Sequence, residues 1–284
     1  MIGFARRNLL LFFRDKNAVF FSLLAVFIII GLYALFLGDV WASNYPDIDN
    51  IRFLMDRWIM AGLLAVTSVT TTMGAFGALV SDREKKIYKD FNSAPISRSS
   101  IAGGYMISAF VIGCIMSFVA LILVELYIVS SGGKLLSVVA FAKVVALILG
   151  CTFVNTTIMF FVVSFFKSNN AFATASTVIG TLIGFLTGIY VPIGALPDAV
   201  QLVIKVFPVS HAVSIFRQVI MDVPLSKAFA GAPAETLIEF EKLMGVTYYF
   251  GDTEVSVWIS ILILIITTVI CFGLAVLNMS RKNK

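Results

Sequence analysis

The side chains able to do covalent or metal chemistry are few and scattered. The chain holds one histidine, His211, which excludes an HExxH zinc site, since that motif needs two. Its three cysteines, Cys114, Cys151 and Cys271, lie inside apolar runs with no paired spacing. They read as free buried thiols, neither a disulfide framework nor a metal site. No GxxxxGK[ST] phosphate loop occurs: Gly132-Gly133-Lys134 is followed by Leu135, which has no hydroxyl for magnesium, and no strand precedes it. The expectation is a chain with no catalytic residue, metal or cofactor of its own. If ATP energises its work, a separate subunit must bind and hydrolyse it. Ion-coupled carriers place carboxylates near the midplane of the membrane, and here only Glu125 and Lys143 approach that depth. Both fall near the ends of apolar runs, where pairing or snorkelling explains them and a role in substrate passage is the alternative.

The elements that position the remaining residues are apolar helices. Of 284 residues 60% are hydrophobic and only 13% charged, with a mean hydropathy of +0.99. A soluble domain carries about a quarter charged residues. A membrane-crossing helix needs about 20 apolar residues, because each backbone amide must be paired internally. Six stretches qualify: 18–37, 58–80, 103–129, 144–166, 171–191 and 255–277. The fold class expected is therefore an all-α integral membrane protein, one membrane domain over 1–284. The apolar core of the first stretch is longer than a signal h-region of roughly 7–15 residues, so it reads as an uncleaved span, although Val40-Trp41-Ala42 resembles a cleavage site. Lys and Arg cluster before span one (Arg6, Arg7, Arg14, Lys16), after span two (Arg83, Lys85, Lys86, Lys89, Arg98) and at the end of the chain (Arg281, Lys282, Lys284). The short loops opposite hold only Arg52, Arg57 and Lys134. Positive charge stays inside, which places both termini in the cytoplasm. The net charge of +5 is spread among loops, and no basic face of the kind that reads nucleic acid results.

Four segments look functional. In the loop 81–100, Ser81-Asp82-Arg83-Glu84 has capping-box spacing and predicts a short helix over 82–91, presenting Ile87, Tyr88 and Phe91 among charges, stopped by Asn92 and Pro95. Such a surface suits a soluble partner or the lipid headgroups; a plain basic loop that only sets topology is the alternative. The segment 2–16 predicts a moderately amphipathic interfacial helix. In span five Ser176, Gly180, Gly184 and Gly188 recur every fourth residue beside Thr174, Thr177 and Thr181, and span two carries Thr67, Thr70, Thr71, Gly74 and Ala78. Small-residue stripes allow close helix approach and can also line a weakly polar path. Between spans five and six, the external segment 192–254 predicts short helices at 198–206 and 211–221, bracketed by Pro192, Pro197 and Pro208 and too short to cross. Arg217 and Asp222 are expected to pair there, with His211 structural.

The order of these features resembles the type-2 ABC transporter permease, the membrane subunit of a bacterial exporter of the multidrug or antibiotic-resistance type. The match rests on the interfacial helix before span one, on Asp82-Arg83-Glu84-Lys85 leading to Ser93-Ala94-Pro95-Ile96-Ser97-Arg98, and on the Pro192, Leu196-Pro197, Phe207-Pro208, Arg217 stretch. The resemblance implies a dimer, homomeric or with a sister permease, in the bacterial cytoplasmic membrane. Each copy would dock a P-loop ATPase subunit that carries ATP and Mg, with 82–91 as the coupling helix. A path between protomers would be lined by spans two and five under a lid of the external helices, and would move an amphiphilic small molecule, lipid or peptide outward. The rival expectation is a secondary carrier or channel with no ATPase partner. That class needs a midplane ion site and repeated halves, and neither is evident.

Overall fold

A run of apolar residues in hydrocarbon has no water to bond its amides, so it coils, and the chain is helical nearly throughout. The computed structural model describes residues 1–284 except 44, 46–47, 49, 88–89, 92–95, 252 and 282–284, and gives no side chains for 36–37, 41–42, 98 and 279–281. Helix α1 (Ile2–Arg14) ends at the extended Asp15, whose carboxylate accepts from Ala18 N and starts α2 (Lys16–Leu32). A π-turn over Tyr33–Leu37 leads into α3 (Gly38–Ser43). Helices α4 (Ile51–Ala75) and α5 (Gly77–Glu84) form one span, broken at Phe76. Then come α6 (Arg98–Ser130), α7 (Val138–Val163), α8 (Asn169–Leu186), α9 (Asp198–Val206), α10 (Pro208–Ala228) and α11 (Ala234–Met244). A two-residue hairpin pairs Tyr249 with Glu254 and Phe250 with Thr253 ahead of α12 (Val257–Arg281).

Helix α4 is the hub. Trp58, Met60, Leu63, Leu64 and Val69 are fully enclosed, packed by α6, α7, α10 and α2. The outer helices leave wide apolar faces uncovered, such as Trp258, Leu262, Ile265, Val269 and Phe272 on α12. A water-soluble protein does not tolerate patches of that size; a bilayer covers them. Helix α1 lies on α6 where Gly103 and Gly104 make room for Met1 and Phe4, and it turns Ile2, Leu10, Leu11 and Phe13 outward.

Five helical stretches among the described residues are long and apolar enough to cross a membrane, and the pair α9–α10, meeting at 87°, is a sixth only if counted as one span. Helix α8, expected from the sequence as span five, is not one of these five: it is 18 residues long, about 27 Å at 1.5 Å per residue, and opens on the polar Asn169-Asn170. It stops short of the expected Val191 because Gly188 turns left-handed at φ 64°. Ile189 N then bonds Gly184 O and Gly188 N bonds Phe185 O, the Schellman closure of a helix end. The second external helix departs further from expectation. It spans 21 residues rather than 11, since Pro208 sits in its first turn, where no amide is missed, and Pro224 is accommodated inside it.

Candidate functional site

Three consecutive charges at the end of α5 each tie down a different helix. Asp82, 4% exposed, accepts both guanidinium arms of Arg7 from α1, at 2.7 and 2.9 Å, and the Tyr105 hydroxyl from α6. The pair drives the Arg7 pKa above its ordinary value, through the hydrogen bonds that Arg7 donates to Asp82 first. Arg83 donates to the carbonyls of Val163, Ser164 and Phe166 at 3.3 to 3.4 Å, where the exposed carbonyls at the end of α7 favour a cation. The Glu84 carboxylate accepts from Asn169 N at 3.1 Å and from Asn169 Nδ2, placing an anion at the positive start of α8.

The capping-box expectation fails here. Residues 81–84 belong to the last turn of α5 rather than opening a helix, because the apolar run of span two carries the coil through them. Lys86 then leaves the helix at φ 61°. Lys85, Lys86 and Asp90 are exposed and Ile87 is half-buried. Phe91 faces inward: its ring meets Phe4 edge-on at 5.0 Å, and the Arg7 guanidinium lies 5.3 Å from its centre. Tyr88 and Pro95, and the side chain of Arg98, lie outside the described residues.

The two threonine stripes part company. Thr67 and Thr71 are buried inside the chain, each bonded to its own helix at 2.7 Å, and Thr70 bonds Val66 O and Thr67 O at 3.2 Å. On α8, by contrast, Thr174, Thr177 and Thr181 are exposed together with Val178, Leu182 and Phe185. Gly180 and Gly74 have open space over their Cα atoms. Gly184 and Gly188 do not continue that open stripe. The Tyr190 ring folds over Gly184, and Ile193 packs on Gly188.

At the opposite end, Arg217 is fully buried. It donates to Thr187 O and Gly188 O at 3.1 and 3.2 Å, behind the end of α8, and to Gly245 O at 3.2 Å, behind the end of α11. Its guanidinium stands 4.6 Å from the centre of the Trp58 ring. Carbonyls and an aromatic face replace the expected Asp222, which is exposed. His211 is also fully buried, bonded to Ser260 Oγ at 3.1 Å and Lys205 O at 2.9 Å. Pro192 and Pro197 cap the short turn Ile193–Ala195 and α9. Gly194 lies against the Leu243 backbone, so the expected lid is fastened to α11.

Sequence reasoning missed two polar groups. Glu125 pairs with Arg57, not Lys143, and Arg57 also reaches Lys134 O; Lys143 is exposed. Beside them Asp56 accepts from the Tyr127 hydroxyl at 3.1 Å. Nearer mid-span, Asn155 donates to Ser68 Oγ at 2.6 Å and to Cys151 Sγ at 3.3 Å. An asparagine inside an apolar run is the signal that could have found this second group.

No curated protein matches the chain. A family model described as ABC-2 type transporter matches residues 3–221, which takes in both ends just described. With apolar helices enough for a multi-pass membrane protein, the chain belongs to the ABC-2 type transporter family, as a transmembrane permease component of an ABC transporter.

Proposed function

We propose that this chain is the membrane half of an ATP-driven exporter that moves an amphiphilic small molecule, lipid or peptide outward across a bacterial cytoplasmic membrane. A separate P-loop ATPase carries ATP and Mg. Two permeases, identical or sister chains, complete the path. Both termini and the loop beyond α5 face the cytoplasm in this reading, consistent with the Lys and Arg count.

The observation that carries the reading is the junction at Asp82, Arg83 and Glu84. It links an exposed loop bearing Lys85, Lys86 and Asp90 to α1, α6, α7 and α8 at once. A push delivered to that loop reaches α8, whose threonine-dotted outer face is uncovered. Each of those hydroxyls donates within its own helix, so the face offers acceptor lone pairs without an unmet donor, which suits an amphiphile better than an ion. Near the other end the buried carboxylate Glu125 is taken up by Arg57.

The test is reconstitution with the cognate ATPase, comparing wild type with Lys85→Glu/Lys86→Glu. The double reversal is expected to abolish the complex and transport-coupled ATP hydrolysis while the permease stays folded. Full transport by the variant, or flux in the absence of any ATPase driven by a proton gradient, would sink the reading in favour of a secondary carrier.

A further inference from the structure

A cavity of 580 Å³ opens beside the first turn of α4, at the level where α6 ends and α7 begins. It is separate from the exposed face of α8 and from the Asp82 junction. Among the described residues four cations line it, Arg52, Arg57, Lys134 and Lys227, against one carboxylate, Asp56. Arg57 is 2% exposed and is held by Glu125; Arg52 meets Asp39; Asp56 is bonded by Tyr127. Lys134 and Lys227 have no carboxylate partner among the described residues, and both are exposed at the mouth. Among the described residues, the entrance therefore carries positive charge with no carboxylate committed to it.

The rim is built rather than loose. Arg57 bonds Lys134 O, and Leu136 N donates to Glu125 at 3.4 Å. The buried ion pair thus fixes the loop that presents Lys134. Two helix starts, α7 at Ser137 and α4 behind Asn50, meet two helix ends there, α6 at Ser130 and α10 at Ala228, so the dipoles offset and the side-chain cations set the field. Between the charges the walls carry apolar side chains, Phe53 on α4 and Val219, Ile220 and Val223 on α10. Exposed lysines beside apolar walls, at the end of three membrane-crossing helices, are the profile of an anionic amphiphile. A small hydrated anion would gain nothing from the apolar walls.

We propose that this cavity binds one anionic phospholipid from the surrounding leaflet, its phosphate between Lys134 and Lys227 and part of an acyl chain against Phe53, Val219 and Val223. The site is distinct from the transport path proposed above and stands whether or not that reading holds. It makes the packing of α10 on α4 sensitive to the lipid composition of that leaflet.

The test is the melting temperature of the full chain, purified in detergent and stripped of lipid, on adding dioleoyl phosphatidylglycerol, dioleoyl phosphatidylcholine or inorganic phosphate. Wild type and Lys143→Gln, a control at an exposed lysine outside the cavity, are expected to melt higher with phosphatidylglycerol than with phosphatidylcholine. Lys134→Gln/Lys227→Gln should lose that excess, and Val223→Trp, which fills the mouth without touching charge, should lose it too. Native mass spectrometry should show one retained phosphatidylglycerol in wild type and none in the double variant. An equal rise with both lipids in wild type, or an excess surviving in both cavity variants, overturns the proposal. The same rise with inorganic phosphate alone also overturns it, and assigns the lysines to a soluble anion.

Discussion

Arg217 and Trp58 reach the same turn from two helices: Trp58 Nε1 donates to Met244 O at 2.8 Å, and Arg217 donates to Gly245 O at 3.2 Å while resting 4.6 Å from the Trp58 ring. Gly245 permits this because its φ of 65° would strain any other residue and its Cα faces the guanidinium directly. One buried cation thereby closes the ends of α8 and α11 together. Arg217→Met should leave those carbonyls unbonded and cost about 3 kcal/mol. Trp58→Phe, which keeps the ring face and loses one hydrogen bond, should cost about 1 kcal/mol. Denaturant unfolding of the purified permease measures both, and a wild-type midpoint for Arg217→Met would mean that the two helix ends hold without the charge.

The Arg7–Asp82 pair predicts a specific coupling between two residues far apart in sequence. In a double-mutant cycle with Arg7→Gln and Asp82→Asn, the interaction energy should fall at about 1–3 kcal/mol. Strictly additive single effects would show that the ion pair does not help hold α1 to α5.

Glu84→Gln touches an exposed group and Asn169→Ala a half-buried one, and each should change stability by less than about 1 kcal/mol. Their effect is expected in transport, since they cut the link from α5 to α8. Substrate-stimulated ATP hydrolysis in the assembled complex should fall while basal hydrolysis persists; stimulation at the wild-type level would remove Glu84 from the coupling route.

Glycines 180 and 188 should respond in opposite ways. Gly188→Ala forces a left-handed alanine against Ile193 and should cost about 1–2 kcal/mol. Gly180→Ala meets open space within α8 and should be neutral or gain up to about 1 kcal/mol from helix propensity. Thermal melts of the two variants decide it.

On α11, burial first and the neighbouring Glu254 second raise the Glu241 pKa above the usual carboxylate value. A carboxylate whose pKa is raised on folding holds its proton more tightly in the folded state, so ionisation opposes folding above that pKa and the penalty disappears below the unfolded value. Glu241→Gln should therefore raise the melting temperature near neutral pH and have no effect in acid. A gain that persists unchanged at low pH would point to packing instead of charge.

The helices and their apolar faces were legible because hydropathy is a local property, and so was the membrane class. The partners of the charged residues were not. Asp82 looked like the start of a loop helix because Ser81 and Glu84 satisfy a capping pattern, whereas its actual partners, Arg7 and Tyr105, are set by tertiary packing. Arg57 counted as a loop charge until Glu125, 68 residues on, was found beside it. His211, read as structural, sits fully buried between Ser260 and Lys205. The prolines misled at the second external helix, where Pro208 starts a helix and Pro224 fails to end it. The glycine repeat in span five was visible, but nothing local says that its last two members are covered by Tyr190 and Ile193.

The three charges that close α5 act as an indexing key. Neighbouring residues on a helix point about 100° apart, so Asp82, Arg83 and Glu84 find their separate counterparts in one rotational setting only. A single residue inserted upstream of Asp82 would turn all three away at once, whereas beyond Lys86 the backbone has already left the helix and length can change without turning the key. Chimeras that exchange loops between related permeases should therefore be cut after Lys86. Those cut earlier would insert into the membrane yet fail to lock their helices together.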